Sequence, residues 1–382
     1  MDNTPVIRFK GFTDAWEQRK LGSDFHITAG GDVDKDKIEQ SGIYPVIANA
    51  LTSNGIIGYY NDTFKISGPA VTVTGRGDIG RAVARRKPFT PVVRLISIQS
   101  QHDIDFLTES INRTHIFVES TGVPQLTVPQ LRNYYFFFTN LDEEKRIGLF
   151  FKQIDNLITL HKRKLELLKE QKKGLLQKMF PKTDETVPEL RFEGFTGDWE
   201  ERKLKELGDI QTGNTPPTSD SDNYSLDGVL WVTPTDIKSL VISNTAKKLS
   251  QVGVAKARIA KAGSILVTSI ASIGKNTLLR MDAGFNQQIN SLTPTSENDS
   301  YFLLTQSEKW SEKMKQTAAS ATMQIVNKTD FSNISTYVPV HKEEQEKIGS
   351  FFKQLDNTIA LHQRKLDLLK EQKKGFLQKM FV

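Results

Sequence analysis

"IGLFFKQIDNLITLHKRKLELLKEQKKGLLQKMF" occupies residues 147–180, and residues 348–381 read "IGSFFKQLDNTIALHQRKLDLLKEQKKGFLQKMF". The two stretches are identical at 27 of 34 positions, so the chain of 382 residues contains an internal duplication. Within each stretch, apolar residues recur at alternating steps of three and four, which is the spacing of a coiled-coil seam. The pattern predicts two long helices, each of which needs a partner helix along its apolar side.

The predicted seam residues occupy equivalent places in the two helices. They are Phe151, Ile154, Ile158, His161, Leu165 and Leu168 in the first helix, and Phe352, Leu355, Ile359, His362, Leu366 and Leu369 in the second. Packing one helix against the other is the simplest arrangement, and a pseudo-twofold axis would make the pair antiparallel. The two histidines are interpreted as a polar layer or a device that fixes register, with a pH switch or a metal pair as the alternative. Lys172 and Lys373 also interrupt the seam, and we expect their side chains to extend out to solvent.

A second match lies near the start of each copy. "PVIRFKGFTDAWEQRKL" begins at Pro5, and "PELRFEGFTGDWEERKL" begins at Pro188. Between these conserved ends the two copies differ almost throughout, whereas ordinary drift would spread the differences more evenly. A constant frame around unlike interiors is typical of a symmetric scaffold that carries two different surfaces. Because the second segment closely follows Phe180, pseudo-symmetry predicts that the segment from Pro5 to Trp16 docks near Phe381.

The two interiors contain short β-rich pieces separated by Gly, Asn and Asp, such as "YPVIAN" and "AVTVT" in the first and "VLWVTP" and "SILVTS" in the second. The expected fold class is therefore α+β, with two pseudo-symmetric α/β domains joined and separated by two long antiparallel coiled-coil helices. We predict a first domain over residues 1–140, a helix over 141–181, a linker over 182–199, a second domain over 200–340 and a helix over 341–382.

Composition excludes several kinds of chemistry. The chain has no cysteine, which removes disulfides, thiolate zinc sites and cysteine nucleophiles and fits a reducing cytoplasm. No run approaches 18 apolar residues, and the first residues lack the apolar core of a secretory signal, so we expect a cytoplasmic protein without a membrane span. The six histidines are scattered, so no metal site is predicted.

Catalytic motifs are also lacking in the sequence. "GRGDIG" at residues 75–80 satisfies the dinucleotide pattern G-x-G-x-x-G, but no helix pattern follows it, so it is interpreted as a tight hairpin turn. There is no Asn/Asp-Pro-Pro-aromatic tetrapeptide of the kind an amino-methyltransferase uses to hold a base. No catalytic residue is predicted.

Net charge and polar side chains together favour a polyanionic partner. The net charge is +6, and the two repeated helical segments carry +5 and +4, which leaves about −3 on the rest of the chain. The basic excess therefore lies on the helices, where it could serve the DNA backbone, an acidic partner helix or solubility alone, and phosphate attraction is not the whole task of the interiors. Arginine can donate two hydrogen bonds to guanine, and Asn or Gln can pair with adenine. The candidate DNA-contacting residues lie on or beside one predicted hairpin, in the equivalent turn of the second copy and the "FNQQIN" stretch after it, and at two glutamines that are predicted to correspond, one just before each final helical run. Each could equally lie in a solvated surface loop. They are Arg76, Arg81, Arg85, Arg86, Lys87, Gln125, Lys275, Asn276, Asn286, Gln287, Gln288 and Gln324.

The layout resembles the specificity subunit of type I restriction–modification systems. "WEQRKLG", "EEKRIGLFFKQIDNLITLHKRKLELLKEQKKGLLQKMF" and "GDWEERKL" look like the conserved regions of that family, and the architectural resemblance covers the whole chain. It implies a non-catalytic subunit with two target recognition domains, each reading one half of a bipartite, asymmetric site in double-stranded DNA. It also implies two modification subunits that methylate adenine and further restriction subunits as partners. S-adenosylmethionine, ATP and Mg would be bound by those partners and no cofactor by this chain.

Two other functions compete with this interpretation. A self-sufficient methyltransferase or nuclease is disfavoured because the base-pocket tetrapeptide and a metal-ligand pattern are missing from the sequence. A non-catalytic, two-domain coiled-coil scaffold that binds proteins or glycans stays open, because the two interiors together carry a net negative charge. The salt dependence of DNA binding separates that scaffold from a DNA-reading protein, since phosphate contacts weaken steeply as salt rises.

Overall fold

The computed structural model describes residues 3–22, 24–50, 52–116, 124–182, 184–319 and 325–382. The chain divides into two compact units. Unit 1 comprises Met1–Arg163 and Gln363–Val382, and unit 2 comprises Lys164–His362. Each unit therefore contains its own sheets together with the beginning of one long helix and the end of the other.

The elements that begin in unit 1 are β1 (Glu17–Lys20), β2 (His26–Ala29), β3 (Tyr44–Ile47), β4 (Ile56–Tyr60), β5 (Ala70–Thr74), β6 (Ala82–Arg85), β7 (Thr90–Pro91), β8 (Leu95–Gln99), α1 (Ile104–Arg113), α2 (Val128–Arg132), β9 (Tyr135–Phe138) and α3 (Leu141–Lys178). An antiparallel sheet has the order β2-β8-β5-β6, and a three-stranded sheet has the order β4-β3-β7. Strands β1 and β9 form a separate antiparallel pair.

The elements of unit 2 repeat this plan with one more strand in the first sheet and two more in the second. They are β10 (Glu200–Lys203), α4 (Leu204–Leu207), β11 (Gly208–Thr212), β12 (Tyr224–Ser225), β13 (Val229–Val232), β14 (Val241–Ile242), β15 (Lys247–Leu249), α5 (Gln251–Lys256), β16 (Ile259–Ala260), β17 (Ile265–Thr268), β18 (Asn276–Leu279), β19 (Ala283–Phe285), β20 (Ile289–Pro294), α6 (Ser300–Ala319), α7 (Lys328–Ser332), β21 (Ser335–Val338) and α8 (Lys342–Met380). The sheets have the orders β11-β20-β17-β18-β14 and β12-β15-β13-β19-β16, and β10 pairs with β21.

The core of unit 1 lies between α1 and the four-stranded sheet. Helix α1 is amphipathic and begins at Asp103, whose side chain accepts hydrogen bonds from the backbone N–H groups of Asp105 and Phe106. Its buried face presents Phe106 and Ile111 to the apolar side of β2, β5 and β8. Alternation along the strands supplies that apolar side, because every second side chain of a strand faces the same way.

The two long helices are the continuous elements that the repeated sequence predicts. Helix α3 begins after Asn140, whose side-chain oxygen accepts a 3.0 Å hydrogen bond from the backbone N–H of Glu143. In unit 1 the rings of Phe150 and Phe376 lie 5.1 Å apart, so the start of α3 packs on the end of α8. In unit 2 Leu175, near the end of α3, packs in one cluster with residues at the start of α8. The helices are therefore antiparallel, as predicted, and all the predicted seam residues are buried or half-buried.

The prediction for the two seam lysines is wrong. The ammonium group of Lys172 lies 2.6 Å from Asp356, and the Lys373 ammonium lies 2.8 Å from both Asp155 and Glu109. Both lysine side chains are less than one-fifth exposed. Asp155 and Asp356 occupy equivalent positions of the repeat, so the same Lys–Asp contact forms once in each unit with the two helices exchanged.

The N-terminal segment docks where the repeat predicts. The backbone N–H of Ile7 donates a 2.8 Å hydrogen bond to the carbonyl of Lys379, and the rings of Trp16 and Phe381 lie 5.9 Å apart. The equivalent segment of unit 2 makes the same contacts at the end of α3. There the N–H of Leu190 donates to the carbonyl of Lys178 at 2.8 Å, and Trp199 packs against Phe180.

A buried ion pair anchors each docked segment. Arg8 binds both carboxylate oxygens of Glu143 at 2.6 and 2.8 Å, and Glu143 has no exposed surface. The hydrogen bond from this carboxylate raises the pKa of Arg8 above its ordinary value. Arg191 binds Glu344 in the same two-point manner at 2.7 Å. Two-point arginine–carboxylate pairs fix geometry as well as charge, which explains why both residues recur in the two copies.

Candidate nucleic-acid interface

Two equivalent hairpins, one in each unit, contain several of the predicted site residues. Strands β5 and β6 pair from Ala70 to Arg85, and the sequence "GRGDIG" forms the turn between them, as predicted. Gly77 and Gly80 in this turn have φ of +78° and +84°, a region that favours glycine. Strands β17 and β18 form the matching hairpin in unit 2, where Gly274 has φ of +86°.

The same hydrogen bonds hold both turns. The hydroxyl of Thr74 accepts from the backbone N–H of Arg81 at 3.0 Å, and the hydroxyl of Thr268 accepts from the N–H of Lys275 at 2.9 Å. The offset between these pairs is 194 residues in each case. The structure therefore places Arg81 and Lys275 at the same position of the two turns, and both side chains are exposed.

The five predicted cations of the first hairpin do not form one cluster. Arg76 and Arg81 lie in the turn, whereas Arg85 ends β6 opposite Ala70, at the other end of the hairpin. Arg86 is already paired, since its guanidinium contacts both oxygens of Asp105 at 2.5 Å. Lys87, which is exposed, follows directly in the chain. The hairpin thus presents two cationic ends, and one cation at the second end is committed to an ion pair.

Arg85 has the most distinctive surroundings of these cations. Its Nε donates to the hydroxyl of Thr72 at 3.0 Å, and Nη2 donates to the carbonyl of Asn54 at 2.9 Å. Burial lowers the pKa of Arg85 to about 10, so it remains charged at neutral pH. Within the part of the chain that the structure describes, no carboxylate pairs with it. A half-buried guanidinium held in place by neutral acceptors is well arranged to meet an anion or a guanine edge.

The equivalent place in unit 2 has a different chemistry. Register through the hairpins matches Thr72 with Leu266 and Arg85 with Leu279, and both leucines are buried in an apolar cluster between the two sheets of that unit. The same backbone therefore carries a charged, polar pair in one copy and a packed apolar pair in the other.

The predicted amide side chains of unit 2 are largely engaged with the protein. Asn276 donates to the hydroxyl of Ser311 at 2.9 Å, and the Asn286 side chain accepts from the backbone N–H of Gln288 at 3.0 Å. Gln287 is exposed and accepts a hydrogen bond from the hydroxyl of Thr215. The structure brings residues 286–288 together in the connection between β19 and β20.

The predicted equivalence of Gln125 and Gln324 is wrong. The N–H of Leu126 donates to the carbonyl of Gly75, and the N–H of Val326 donates to the carbonyl of Ser269. Leu126 therefore corresponds to Val326, and half-buried Gln125 corresponds to residue 325, an isoleucine. Gln324 itself lies outside the described residues. The interiors are too dissimilar in sequence to reveal this one-residue shift, which only the paired hydrogen bonds make visible.

The described residues can also be compared with the geometry of a metal site and of a membrane span. Among them, no group of three or more His, Asp or Glu side chains is arranged to hold a metal ion. None of the helices in the described ranges is both long and apolar enough to cross a lipid bilayer.

These features define a class of protein. A duplicated chain holds two α/β domains of like plan and unlike surface on one pair of antiparallel helices, which is a two-domain recognition scaffold. A family model for the "type I restriction modification DNA specificity domain" matches residues 13–170 and again 196–371. Because the two matches cover most of the chain, the chain belongs to this family of specificity domains.

Individual relatives agree with the family match. The MjaVIII specificity subunit of Methanocaldococcus jannaschii is 23% identical over 294 residues, which cover 71% of this chain and 68% of that protein. A putative type I specificity subunit of Mycoplasma pneumoniae is 29% identical over 119 residues, about a third of each protein. The crystal structure of a type I S subunit from M. genitalium superposes with a TM-score of 0.75 at 16% identity and covers 99% of both chains, so the two share a fold.

Proposed function

We propose that this chain reads a bipartite, asymmetric DNA sequence for a type I restriction–modification complex, with one half-site read by each unit. The observation that carries the proposal is the contrast at equivalent positions: Thr72 and Arg85 in unit 1 stand where Leu266 and Leu279 stand in unit 2. A symmetric frame with unlike interiors suits a target whose two halves differ in sequence. The family to which the chain belongs supports DNA as the ligand.

The proposed base contacts follow from the geometry of unit 1. Exposed Arg76 and Arg81 at the turn and half-buried Arg85 at the far end of β6 are the arginine candidates whose charge no described carboxylate neutralises. Arginine to guanine is the commonest specific contact in the major groove, and each good two-point contact discriminates by about 1–3 kcal/mol. We assign Arg86 a positioning role instead, because Asp105 already holds its guanidinium.

Catalysis is assigned to partners. In this proposal two modification subunits methylate adenine with S-adenosylmethionine, and restriction subunits supply ATP- and Mg-dependent functions, while this chain binds DNA and holds the assembly together. A further solved chain of the same fold, with a TM-score of 0.51 at 17% identity, comes from work on complex assembly and conformational transition of the type I R-M system. The antiparallel pair α3–α8, with its exposed leucines such as Leu160 and Leu361, is the surface that we propose for docking the modification subunits.

Genome-wide methylation sequencing tests the proposal. A methylation-free bacterial host would express the chain with its modification subunit, each protein alone, and the pair with Arg85→Leu. We expect a split, asymmetric adenine-methylated motif only when both proteins are present. The Arg85→Leu variant, which copies the residue at the equivalent position of unit 2, should alter or abolish one half of that motif. Methylation by this chain alone would refute the non-catalytic assignment.

A protein- or glycan-binding scaffold is the competing function, and the purified complex separates the two. For a DNA-reading complex, the logarithm of the binding constant for duplex DNA falls linearly with log[salt], with a slope of about −0.9 per neutralised phosphate. Absence of salt-dependent duplex binding by the intact complex would favour the scaffold.

A further inference from the structure

A basic cleft lies in each unit between one helix of the α/β domain, α1 or α6, and the end of a long helix. In unit 1 the cleft has a volume of about 590 Å³ and lies between the turn after β5, α1 and the last turns of α8. Its cationic lining residues are Arg81, Arg113, Lys370, Lys373 and Lys374, against only two carboxylates, Asp78 and Glu109. The cleft therefore carries a net charge of about +3.

Unit 2 contains the equivalent cleft, of about 1100 Å³, between α6 and the last turns of α3. Lys169, Lys172 and Lys173 take the places of Lys370, Lys373 and Lys374, and Lys309 on α6 takes the place of Arg113 on α1. Although the interiors diverge, a cation persists at this last position. Arg113 lies over the ring of Phe381, and its counterpart in unit 2 lies over the ring of Phe180 in the same way.

Neighbouring lysines within each cleft differ in their partners. Lys373 is neutralised by Asp155 and Glu109. Lys370 and Lys374 are exposed, and in the described part of the chain no carboxylate pairs with either; the same holds for Lys169 and Lys173 in unit 2. Like charges four residues apart on a helix destabilise it by a few tenths of a kcal/mol. Both copies keep such a pair of exposed lysines, and an anion from outside the chain would be attracted to both of them.

Identity between the copies indicates what kind of anion fits. The sequence "KEQKKG" is the same at residues 169–174 and 370–375, whereas the hairpins beside the two clefts differ. Bases differ between the halves of an asymmetric site, but phosphates do not. Residues that stay identical in two otherwise unlike domains therefore suit the DNA backbone, and residues that differ suit the bases. In unit 1, Arg81 belongs to both the cleft lining and the hairpin turn, which places the two functions side by side.

We propose that these two clefts bind the phosphate backbone of DNA, with Lys370 and Lys374 as the contacts in unit 1 and Lys169 and Lys173 as those in unit 2. This inference rests on the proposed function, because it assigns the position of the backbone of the same duplex. The contacts are independent of sequence. They add affinity to both half-sites equally and leave the recognised motif to the hairpins.

The test measures duplex binding by the assembled complex with its modification subunits at several salt concentrations. Two probes are used, a duplex that carries the methylated motif and an unrelated duplex of equal length. Lys370→Gln/Lys374→Gln should reduce the slope of log K against log[salt] by about 1.8 for both probes, which corresponds to about a tenfold smaller loss of affinity between 50 and 200 mM salt. Lys169→Gln/Lys173→Gln should do the same, and all four changes together should remove about 3.6. The methylated motif should not change.

A matched control removes two positive charges outside the clefts and outside the α3–α8 docking surface. Lys10→Gln/Lys205→Gln alters one exposed lysine in each unit, neither of which lines a cleft or lies on a long helix, and its slope should equal that of the wild type. An unchanged slope in the cleft variants, or loss of the modification subunits from the complex as judged by its mass, would overturn the inference in favour of solvent or an acidic partner. Failure of the wild-type complex to bind either duplex would instead refute the proposed function, so the two failures are distinguishable.

Discussion

Gly148 of α3 lies directly against the start of α1. A Cβ atom at this position would lie 2.1 Å from the Asp103 side-chain oxygen and 2.9 Å from the backbone nitrogen of Phe106. That same oxygen caps α1. Unit 2 repeats the arrangement, because a Cβ at Gly349 would lie 2.2 Å from the Asp299 oxygen. We therefore expect Gly148→Ala to push α1 away from α3 and to disturb its N-cap.

The size of the effect follows from three contributions. Overpacking a close contact costs about 1–3 kcal/mol, and loss of a side-chain N-cap costs about 1 kcal/mol. Replacing a glycine inside a helix by alanine returns about 1 kcal/mol. The expected net loss for Gly148→Ala is about 1–3 kcal/mol of unfolding free energy. Gly174 lies in the same helix, and a Cβ there would meet nothing within 4 Å. Gly174→Ala should therefore stabilise the protein by about 1 kcal/mol.

Thermal unfolding and hydrogen exchange measure these opposite changes in stability. For units of this size, 1 kcal/mol shifts the midpoint by about 2–4 °C. Gly148→Ala should lower the midpoint of unit 1 and speed amide exchange over residues 104–113, whereas Gly174→Ala should raise the midpoint of unit 2 by a few degrees. A Gly148→Ala protein as stable as the wild type, with unchanged exchange in α1, would refute the close approach of the two helices.

Three further predictions concern the frame. Arg8→Met should lower the unfolding free energy by about 3–5 kcal/mol in chemical denaturation, because it leaves the buried carboxylate of Glu143 unpaired. The control Arg19→Met, at an exposed arginine of β1, should cost less than about 1 kcal/mol. Equal effects of the two changes would contradict the burial argument. Burial raises the pKa of Glu109, and Lys373 opposes that rise. Lys373→Met should therefore make the unfolding free energy fall more steeply as pH rises through the elevated pKa of this carboxyl group. A pH profile parallel to that of the wild type would count against the ion pair. Joining the two chain ends and reopening the chain within residues 181–187 should preserve folding and DNA binding, since both docked segments make the same contacts, and an insoluble permutant with the natural linker length would contradict this.

The long helices and the hairpin could be predicted because their signals are local. Alternating steps of three and four between apolar residues survive in both copies, and glycines at 77 and 80 mark a turn that needs positive φ. Strands β1 and β10 could not be found this way. Every residue of their sequences, "EQRK" and "EERK", is exposed, and these sequences have no apolar alternation. They are strands only because distant β9 and β21 pair with them.

The seam lysines show the same limit at the level of the candidate site. Lys373 in isolation is typical of a side chain that extends into water, and its carboxylate partner Glu109 lies 264 residues earlier in the chain. Arg86 is likewise indistinguishable from Arg85 by sequence, although one is paired with Asp105 and the other has only neutral partners. Long-range partners decide both cases, and nothing near these residues in the sequence indicates them.

The second copy is longer than the first, and most of its extra residues fall within one segment of the α/β domain. Gly30 lies against the backbone carbonyl of Val92, and Gly213 lies in the same way against that of Asn286, so the two glycines correspond at an offset of 183 residues. Thr74 and Thr268 correspond at an offset of 194. Most of the extra length in the second copy therefore falls between these points, in the segment that enlarges the second sheet from three strands to five. From the hairpins to the long helices the offset grows only to 201. The added residues build the larger second sheet and also β14, which pairs with β18 of the hairpin. Because the docked segments and the long helices keep the same contacts in both copies, an interior can change its length and its recognition surface without disturbing the frame.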